Sequence, residues 1–308
     1  MHRYILKRLL MLIPVLLGVT LVVFTLAHFT PGDPARAMLG MEATAEAIEE
    51  LREEWGLNDP FFVQYGNFVL NMLRGDFGIS FQTGRGVSDE IFARYPNTLR
   101  LAGQGIVVAL VLGIPLGIIS AVKQYTPLDY IGSFFGLLGV SIPNFWLGLM
   151  LIMIFAVNLG ILPATGSTEW RHWIMPTFAI ATGSAATIMR MTRSSMLESI
   201  RQDYIRTARA KGQKENVVIF RHALRNALIP VATTTGLSFG MLLGGAILTE
   251  TIFAIPGLGT YMVSALINRD WPVVRGGVVL IATSFTVVNL LVDILYAFLD
   301  PRIRSQYS

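Results

Sequence analysis

Six long stretches of the chain contain no charged residue, and they limit its fold more than any other feature. Only 14% of the 308 residues are charged and 53% are hydrophobic, whereas about 25% of a soluble domain is charged. A helix needs about 20 apolar residues to cross the hydrocarbon core of a bilayer. The sequence therefore predicts an all-α integral membrane protein of about six transmembrane helices, at residues 9–27, 101–122, 130–157, 173–189, 229–249 and 276–292.

The distribution of lysine and arginine predicts how these helices are oriented. With the N-terminus in the cytoplasm, the inner segments hold 15 of the 24 basic residues. Residues 190–225 carry nine basic and three acidic residues, while residues 30–99 carry five basic and eleven acidic residues. Because basic residues concentrate in cytoplasmic loops, we expect both termini in the cytoplasm and residues 30–99 outside.

The outer segment has the patterns of a small helical subdomain. Residues 43–55 have the apolar spacing of an amphipathic helix, with Ile48, Leu51 and Trp55 on one face. Residues 61–73 predict a second short helix. Aromatic side chains are frequent in this segment, as in chains that lie at a membrane interface. We expect the subdomain to lie on the outer membrane surface.

The inner segment between the fourth and fifth stretches predicts two short basic helices. Ser195 and Glu198 fit a capping box, which predicts a helix that runs to Lys211 with Gly212 as its cap. A second helix over residues 215–226 would end before Pro230. Such a projection suits docking onto another protein. Equally, its charges could serve only to fix the topology or to contact anionic lipid.

Several kinds of chemistry are excluded. The chain has no cysteine, no metal-ligand cluster and no phosphate-binding G-x-x-x-x-G-K-[ST] loop, so it predicts no cofactor and no metal site of its own. Residues 236–240 match the G-x-S-x-G pattern of hydrolases. That pattern needs a strand-to-helix turn and a later histidine, whereas all four histidines precede Ser238. The match is accidental, and we expect no enzyme activity.

Small and polar residues inside the stretches are candidates for a path through the membrane. Glycines four residues apart let helices approach closely, and helix packing is their default explanation. A proline with polar neighbours can interrupt a spanning helix where it lines a cavity. Glu250 and Asp293 lie near span ends, where we expect interfacial ion pairing. The candidates for a path or for packing are Ser141, Pro143, Asn144, Thr234, Gly236, Gly240 and Gly244.

Motifs along the whole chain resemble one family. They are RYILKRLLMLIP at 3–14, PGDP at 31–34, GDFG at 75–78, DYIRTARAKG at 203–212, RHALRNALIP at 221–230, ETIFAIPGLG at 250–259 and DILYAFLDPRIR at 293–304. With these motifs the chain resembles the first permease subunit of bacterial peptide-type ABC importers, a group that includes oligopeptide, dipeptide, glutathione and nickel permeases.

The resemblance implies the type I ABC importer permease fold with a small outer subdomain after the first span. It implies an N-terminal transmembrane helix over 1–29, an extracytoplasmic helical subdomain over 30–95 and a permease core over 96–298. The core would contain a coupling loop over 194–228, and residues 299–308 would form a cytoplasmic tail.

In this family the coupling loop docks onto the ATPase subunit. The general importer pattern begins Glu-Ala-Ala, with a glycine four residues after the second alanine. Here Arg206-Thr207-Ala208 precede Gly212, as is common in the peptide branch. Because the glutamate of the general pattern is missing, the resemblance implies no contact with the ATPase subunit through that residue. The coupling residues implied are Arg206, Thr207, Ala208, Ala210, Lys211, Gly212, Arg221, His222 and Arg225.

The resemblance further implies an importer of small peptides, with glutathione as a close variant, in the cytoplasmic membrane of a bacterium. Its partners would be a second permease, two ATPase subunits that hold ATP and Mg, an external solute-binding protein and the lipid bilayer, with no nucleic acid. Nickel or another solute is the alternative cargo. A secondary transporter acting alone is the rival mechanism, but the chain lacks the buried ionisable site and internal repeat expected of one.

Overall fold

The computed structural model describes residues 2–40 and 42–299, and most of these residues are helical. Residues 300–308 of the predicted tail lie outside the described residues. Two π-helical segments occupy Ile152–Asn158 and Val218–Ala223. The helices are α1 His2–Phe29, α2 Pro34–Leu39, α3 Ala45–Glu54, α4 Phe61–Leu73, α5 Val87–Val122, α6 Pro127–Ser141, α7 Asn144–Leu151, α8 Ile174–Ile200, α9 Asp203–Ala210, α10 Glu215–Val217, α11 Leu224–Ile252, α12 Leu258–Ile267 and α13 Trp271–Leu299.

Four helical runs of the described chain are long and apolar enough to cross a membrane: Leu9–Phe29, Val87–Val122, Glu215–Ile252 and Trp271–Val292. A fifth span results if α6 is joined to Asn144–Asn158, which bends away from it by 101°. The predicted span 173–189 lies in α8, which is not among these runs because alanine, glycine, serine and threonine dilute its apolar residues. The predicted all-α membrane fold is confirmed.

Helix α8 lies at the centre of the bundle, in contact with α5, α6, α7 and α11. Glycines of α5 allow the closest of these approaches. A Cβ atom on Gly113 would lie 2.7 Å from the backbone oxygen of Ala185, and one on Gly117 would lie 2.6 Å from Cβ of Thr192. Because α8 is covered on several sides, its small and weakly polar side chains meet neighbouring helices more than lipid.

Both helices predicted in the outer segment are present. Helix α3 begins after Thr44, whose Oγ1 accepts a hydrogen bond from the amide of Ala47 at 3.3 Å, and it buries Ile48. Helix α4 has the predicted bounds, and it packs against α1 through aromatic side chains. The rings of Phe61, Tyr65 and Phe68 lie 5.4–5.6 Å from the ring of Phe24. The outer segment is thus attached to the side of the first span.

A second set of contacts fixes the chain between α4 and α5. Asp270 is buried at the α12–α13 turn, and its carboxylate accepts hydrogen bonds from Ser80 Oγ at 2.5 Å and from the amide of Phe81 at 3.2 Å. Helix α5 begins at Val87, so the boundary expected at residue 96 falls inside this helix. The outer segment and the last span are therefore held together at one end of the bundle.

The pair of basic helices predicted between the fourth and fifth stretches differs from its prediction in two respects. Ser195 is not an N-cap, because it lies buried inside α8, which continues to Ile200. The packing of this face against the core overrides the local capping signal. The second helix does not end before Pro230 either, since one helical run extends over Glu215–Ile252. Pro230 is exposed on this run, where proline is tolerated when neighbouring groups satisfy the freed backbone.

Candidate functional site

The predicted coupling segment forms a projection made of α9, α10 and the π-helical segment Val218–Ala223. Ile205 and Ala208 lie on one face of α9 and are buried against Val218, Ile219 and Ala223. The same apolar cluster includes Ile118 and Ala121 of α5 and Met196 of α8. The projection therefore shares its core with the spanning helices, so a force applied to it is transmitted to them.

The turn between α9 and α10 is held by local contacts. Gly212 has a φ of 75°, which suits glycine, and its amide donates to the carbonyl of Arg209 at 2.9 Å. Arg209 in turn pairs with Glu215 across the turn, with Nε–Oε2 at 3.1 Å and Nη2–Oε1 at 2.5 Å. This contact raises the pKa of Arg209 above its ordinary value. The predicted glycine cap is confirmed.

Most of the predicted coupling residues are available to a partner. Ala208 is the exception because it belongs to the core of the projection, and His222 is half-buried with its Nε2 2.6 Å from Oε1 of Gln213. The exposed ones are Arg206, Thr207, Ala210, Lys211, Gly212, Arg221 and Arg225. The exposed face is thus basic, while α9 is attached through Ile205 and Ala208.

The predicted interruption of the third span is a sharp break. Helix α6 ends at Ser141, whose Oγ donates to the carbonyl of Leu137 at 2.8 Å. Pro143 precedes α7, and Asn144 opens α7 beside Gly183 of α8, where a Cβ atom would lie 3.6 Å from Oδ1 of Asn144. Of the two polar side chains at the break, Asn144 lies beside α8, whereas Ser141 is exposed.

The glycines of α11 separate into two groups. A Cβ atom on Gly236 would overlap Val292, and one on Gly240 would overlap Phe285, so both glycines serve the packing of α11 against α13. A Cβ atom on Gly244 would have no neighbouring atom within 4 Å, and this glycine is exposed. Two of the three glycines thus have the packing role that sequence reasoning favoured by default.

An exposed stripe runs along α11 from Pro230 to Thr251. Its members recur every three or four residues, which places them on one face of the helix. None is charged, and Thr234 lies half-buried at its edge. The stripe is available to a neighbouring helix, to a path or to lipid. Its members are Pro230, Thr233, Leu237, Met241, Gly244, Leu248 and Thr251.

Sequence reasoning missed an ion pair at the end of the bundle that carries the projection. Asp129 of α6 is buried and accepts hydrogen bonds from Nε and Nη2 of Arg193, at 2.7 Å and 2.8 Å. Ser120 Oγ of α5 donates to the same carboxylate. Three helices are therefore joined at one carboxylate. The nearest signal in the sequence was Asp129 itself, an acidic residue at the third position of the helix that begins with Pro127.

The expectation for Glu250 was wrong. It was predicted to form an interfacial ion pair, but it is fully buried, and its Oε2 accepts a hydrogen bond from the amide of Thr260 at 3.1 Å. The next turn of chain folds so tightly over it that a Cβ atom on Gly257 would overlap the carboxylate. Glu250 thus holds the loop between α11 and α12. The side chain of Asp293 lies outside the described residues.

Within residues 2–40 and 42–299, no group of three His, Cys, Asp or Glu side chains could hold a metal ion. What these residues do present is a basic projection at one end, a broken helix at the centre and an exposed charge-free stripe between the two ends. Such an arrangement suits binding and movement.

Family models cover nearly the whole chain. The model for the binding-protein-dependent transport system inner membrane component matches residues 113–305, and the N-terminal model of the same kind of component matches residues 1–102.

Curated relatives align along their full lengths. The dipeptide transport system permease protein DppB of Alkalihalophilus pseudofirmus is 45% identical over 99% of this chain and 100% of its own. The oligopeptide transport system permease protein AppB of Bacillus subtilis is 46% identical, with the same coverage. The glutathione transport system permease protein GsiC of Escherichia coli K12 is 43% identical over 99% of each chain.

Two solved structures share the fold. The MetNI methionine ABC transporter, in an inward-facing conformation, superposes with a TM-score of 0.60 at 20% identity, over 68% of this chain and 96% of that one. An amino acid ABC transporter with histidines gives a TM-score of 0.53 at 15% identity, over 70% and 94%.

Proposed function

The chain belongs to the family of binding-protein-dependent transport system inner membrane components, and from this premise we propose that it carries small peptides into the cell. It is a multi-pass inner-membrane permease subunit of an ABC transporter and not an enzyme, and it binds no cofactor itself. Relatives named for dipeptides, oligopeptides and glutathione support small peptides as the cargo. Nickel or another solute is the alternative cargo.

We propose an assembly in which this chain pairs with a second, homologous permease above two ATPase subunits that hold ATP and Mg. A solute-binding protein delivers the peptide from outside, and both termini lie in the cytoplasm. The excess of basic residues in 190–225 supports this orientation. The exposed stripe of α11 would face the second permease across the path.

One observation carries this proposal: a single helical run joins the basic projection to the opposite end of the bundle. The run Glu215–Ile252 contains the π-helical part of the projection and the whole exposed stripe. When the ATPase dimer closes on ATP, the docked projection would move and carry the stripe with it. The path would then alternate between openings to the inside and to the outside.

The ATPase contact can be tested by purifying the tagged chain in mild detergent and identifying the proteins that accompany it. Arg206→Glu reverses a charge on the exposed face of α9, and we expect it to lose the ATPase. Arg74→Glu makes the same change on an exposed arginine of the outer segment and should keep it. If both variants retain the ATPase equally, the docking role of the projection is wrong.

The cargo can be tested in liposomes that contain the complete assembly and the solute-binding protein. We expect ATP-dependent uptake of a labelled dipeptide. Unlabelled peptides should reduce this uptake by competition, and Ni²⁺ should not. Competition by Ni²⁺ alone would favour the alternative cargo. Uptake by this chain alone, without ATP or partners, would replace the importer by a secondary transporter.

A further inference from the structure

Helix α4 packs against the C-terminal half of α1, inside the end of that spanning helix. Three of its aromatic rings lie 5.4–5.6 Å from the ring of Phe24, and they belong to Phe61, Tyr65 and Phe68. Phe24 precedes the end of α1 by five residues, or about 7.5 Å along the axis. The spanning run Leu9–Phe29 is about 31 Å long, which matches the thickness of the hydrocarbon core. The contact with α4 therefore falls within the hydrocarbon, near one of its boundaries.

The side of α4 that avoids α1 is apolar and exposed. Phe62 is 80% exposed and Leu73 is 74% exposed. Val63 and Leu70 are exposed as well, and the four side chains fall within an arc of about 100° around the helix axis. None of the 13 residues of α4 is charged. A helix surrounded by water would leave this apolar surface hydrated, which is unfavourable.

The polar residues of α4 form a separate edge. Gln64, Asn67 and Asn71 fall within an arc of about 60°, and the two asparagines are exposed. This polar edge lies about 120–180° around the axis from Phe62 and Leu73, which form the apolar edge. Helix α4 thus has a polar and an apolar edge on opposite sides and contacts α1 on a third side.

Two contacts with α1 show which edge of α4 faces the middle of the span. Tyr65 lies on the packed side next to the apolar edge, and its Oη donates to the carbonyl of Leu17 at 3.0 Å, near the middle of the run Leu9–Phe29. Phe61 lies nearer the polar edge, and its ring is 5.1 Å from the ring of His28 at the end of α1. The apolar edge therefore faces the middle of the span, and the polar edge faces its end.

We propose that α4 is an in-plane membrane helix, with its apolar edge among the acyl chains of one leaflet and its polar edge at the level of the headgroups. Amphipathic helices that lie in the membrane plane bury their apolar side about 5–10 Å into the headgroup–acyl boundary. The contact at Phe24, about 7.5 Å inside the end of α1, has the same depth. The sequence predicted a subdomain on the membrane surface, and this helix lies deeper. In the proposed orientation its leaflet is the outer one.

Acyl chains fit the apolar edge better than a soluble protein does, because the edge faces the hydrocarbon, which a soluble protein does not enter. The placement has a consequence for the other end of the outer segment. Six residues after α4, the chain reaches Ser80 and Phe81, which donate to Asp270 at the α12–α13 turn. Anchoring α4 in the leaflet thereby restricts the depth of this turn.

The test is fluorescence quenching of single-cysteine variants of the full chain in phosphatidylcholine vesicles. The natural chain has no cysteine, so Leu73→Cys and Asn71→Cys each provide one site for a bimane label. Both positions are exposed, and they lie close together along α4 but on opposite edges. Phosphatidylcholine brominated on its acyl chains should quench the label at 73 roughly threefold more than the label at 71, because only the apolar edge lies among the acyl chains. Iodide in the water should show the reverse order.

Further measurements separate the remaining explanations. Phe62→Cys and Asn67→Cys repeat the comparison at the other end of α4, so the test holds even if one of the first variants fails to fold. Equal quenching at both edges by the brominated lipid would overturn the proposal, and so would strong iodide quenching at 73, which would place the helix in water. The labelled chain is then assembled with cysteine-free partner subunits. Protection of 73 from both quenchers in that assembly would mean that the second permease covers this edge, and would also overturn the lipid contact.

Discussion

The carboxylate of Asp129 and the guanidinium of Arg193 form a two-point ion pair that joins the first turn of α6 to the C-terminal part of α8. The amide of Tyr125 also donates to this carboxylate, at 3.1 Å. Only 4% of the Asp129 side chain is exposed, against 28% for Arg193. This one carboxylate therefore maintains the spacing of the helices next to the projection.

Asp129→Asn should destabilise the protein, because Arg193 would keep its charge in a partly buried position without a counter-charge. Removing one partner of a buried ion pair costs about 3–5 kcal/mol, and the exposure of Arg193 reduces our expectation to about 2 kcal/mol. Thermal unfolding in detergent measures this loss. Asp203→Asn removes a fully exposed acid of α9 and should leave the melting temperature unchanged, whereas equal shifts in both variants would contradict the prediction.

Gly240→Ala should lower the melting temperature, while Gly244→Ala should not. The added methyl group at 240 would overlap the ring of Phe285, whereas the one at 244 meets open space. Overpacking of this kind costs about 1–3 kcal/mol. Both variants gain the same helix propensity, so their difference isolates the steric effect. A Gly240→Ala protein as stable as Gly244→Ala would show that α13 does not pack against this glycine.

Glu250→Gln should loosen the loop between α11 and α12. The carboxylate accepts a hydrogen bond from the amide of Thr260. A glutamine side chain would place an NH₂ donor group in the same crowded pocket, next to that amide. Weakening this buried hydrogen bond should speed local opening by roughly tenfold. Hydrogen–deuterium exchange of residues 257–261 measures it. Glu198→Gln, on α8, should leave these amides unchanged; protection that persists in Glu250→Gln would rule out the anchoring role.

Met241→Cys should react faster with a charged maleimide than Val22→Cys. The natural chain has no cysteine, so each variant carries one thiol. Met241 is 73% exposed on the α11 stripe, and Val22 is 58% exposed on α1. A thiol in hydrocarbon stays protonated and beyond the reach of a charged reagent, so we expect a difference of roughly tenfold or more in membranes. Equal labelling, read by mass shift, would mean that the stripe does not face water.

Helices were predictable from the sequence wherever one local signal dominated. The bounds of α4 follow from Asn58-Asp59-Pro60 and an apolar run, and Gly212 marks the turn after α9 because a positive φ favours glycine. At Ser195 and Pro230 the local signals were misleading. Burial of Ser195 in the α8 face and exposure of the Pro230 ring decided those positions, and both depend on distant parts of the chain.

The contacts that hold the candidate site together could not be predicted in the same way. Asp129 and Arg193 are 64 residues apart, and a single sequence gives no sign that α6 and α8 bring them together. Glu250 looked interfacial because it lies at a span end. The loop after it folds back, however, and converts an end position into a buried one. Side chains that join separate elements need the fold before their role is visible.

In the proposed assembly, the unbroken run Glu215–Ile252 would make the projection one arm of a lever. Its 38 residues extend for about 57 Å, so a pivot at its centre leaves arms of about 28 Å on either side. Each degree of tilt would then move both ends by about 0.5 Å, in opposite directions. The packing of Gly236 and Gly240 against α13 lies near that centre and would supply the pivot. Substitutions there should therefore change the stroke of the projection without touching any residue that contacts a partner.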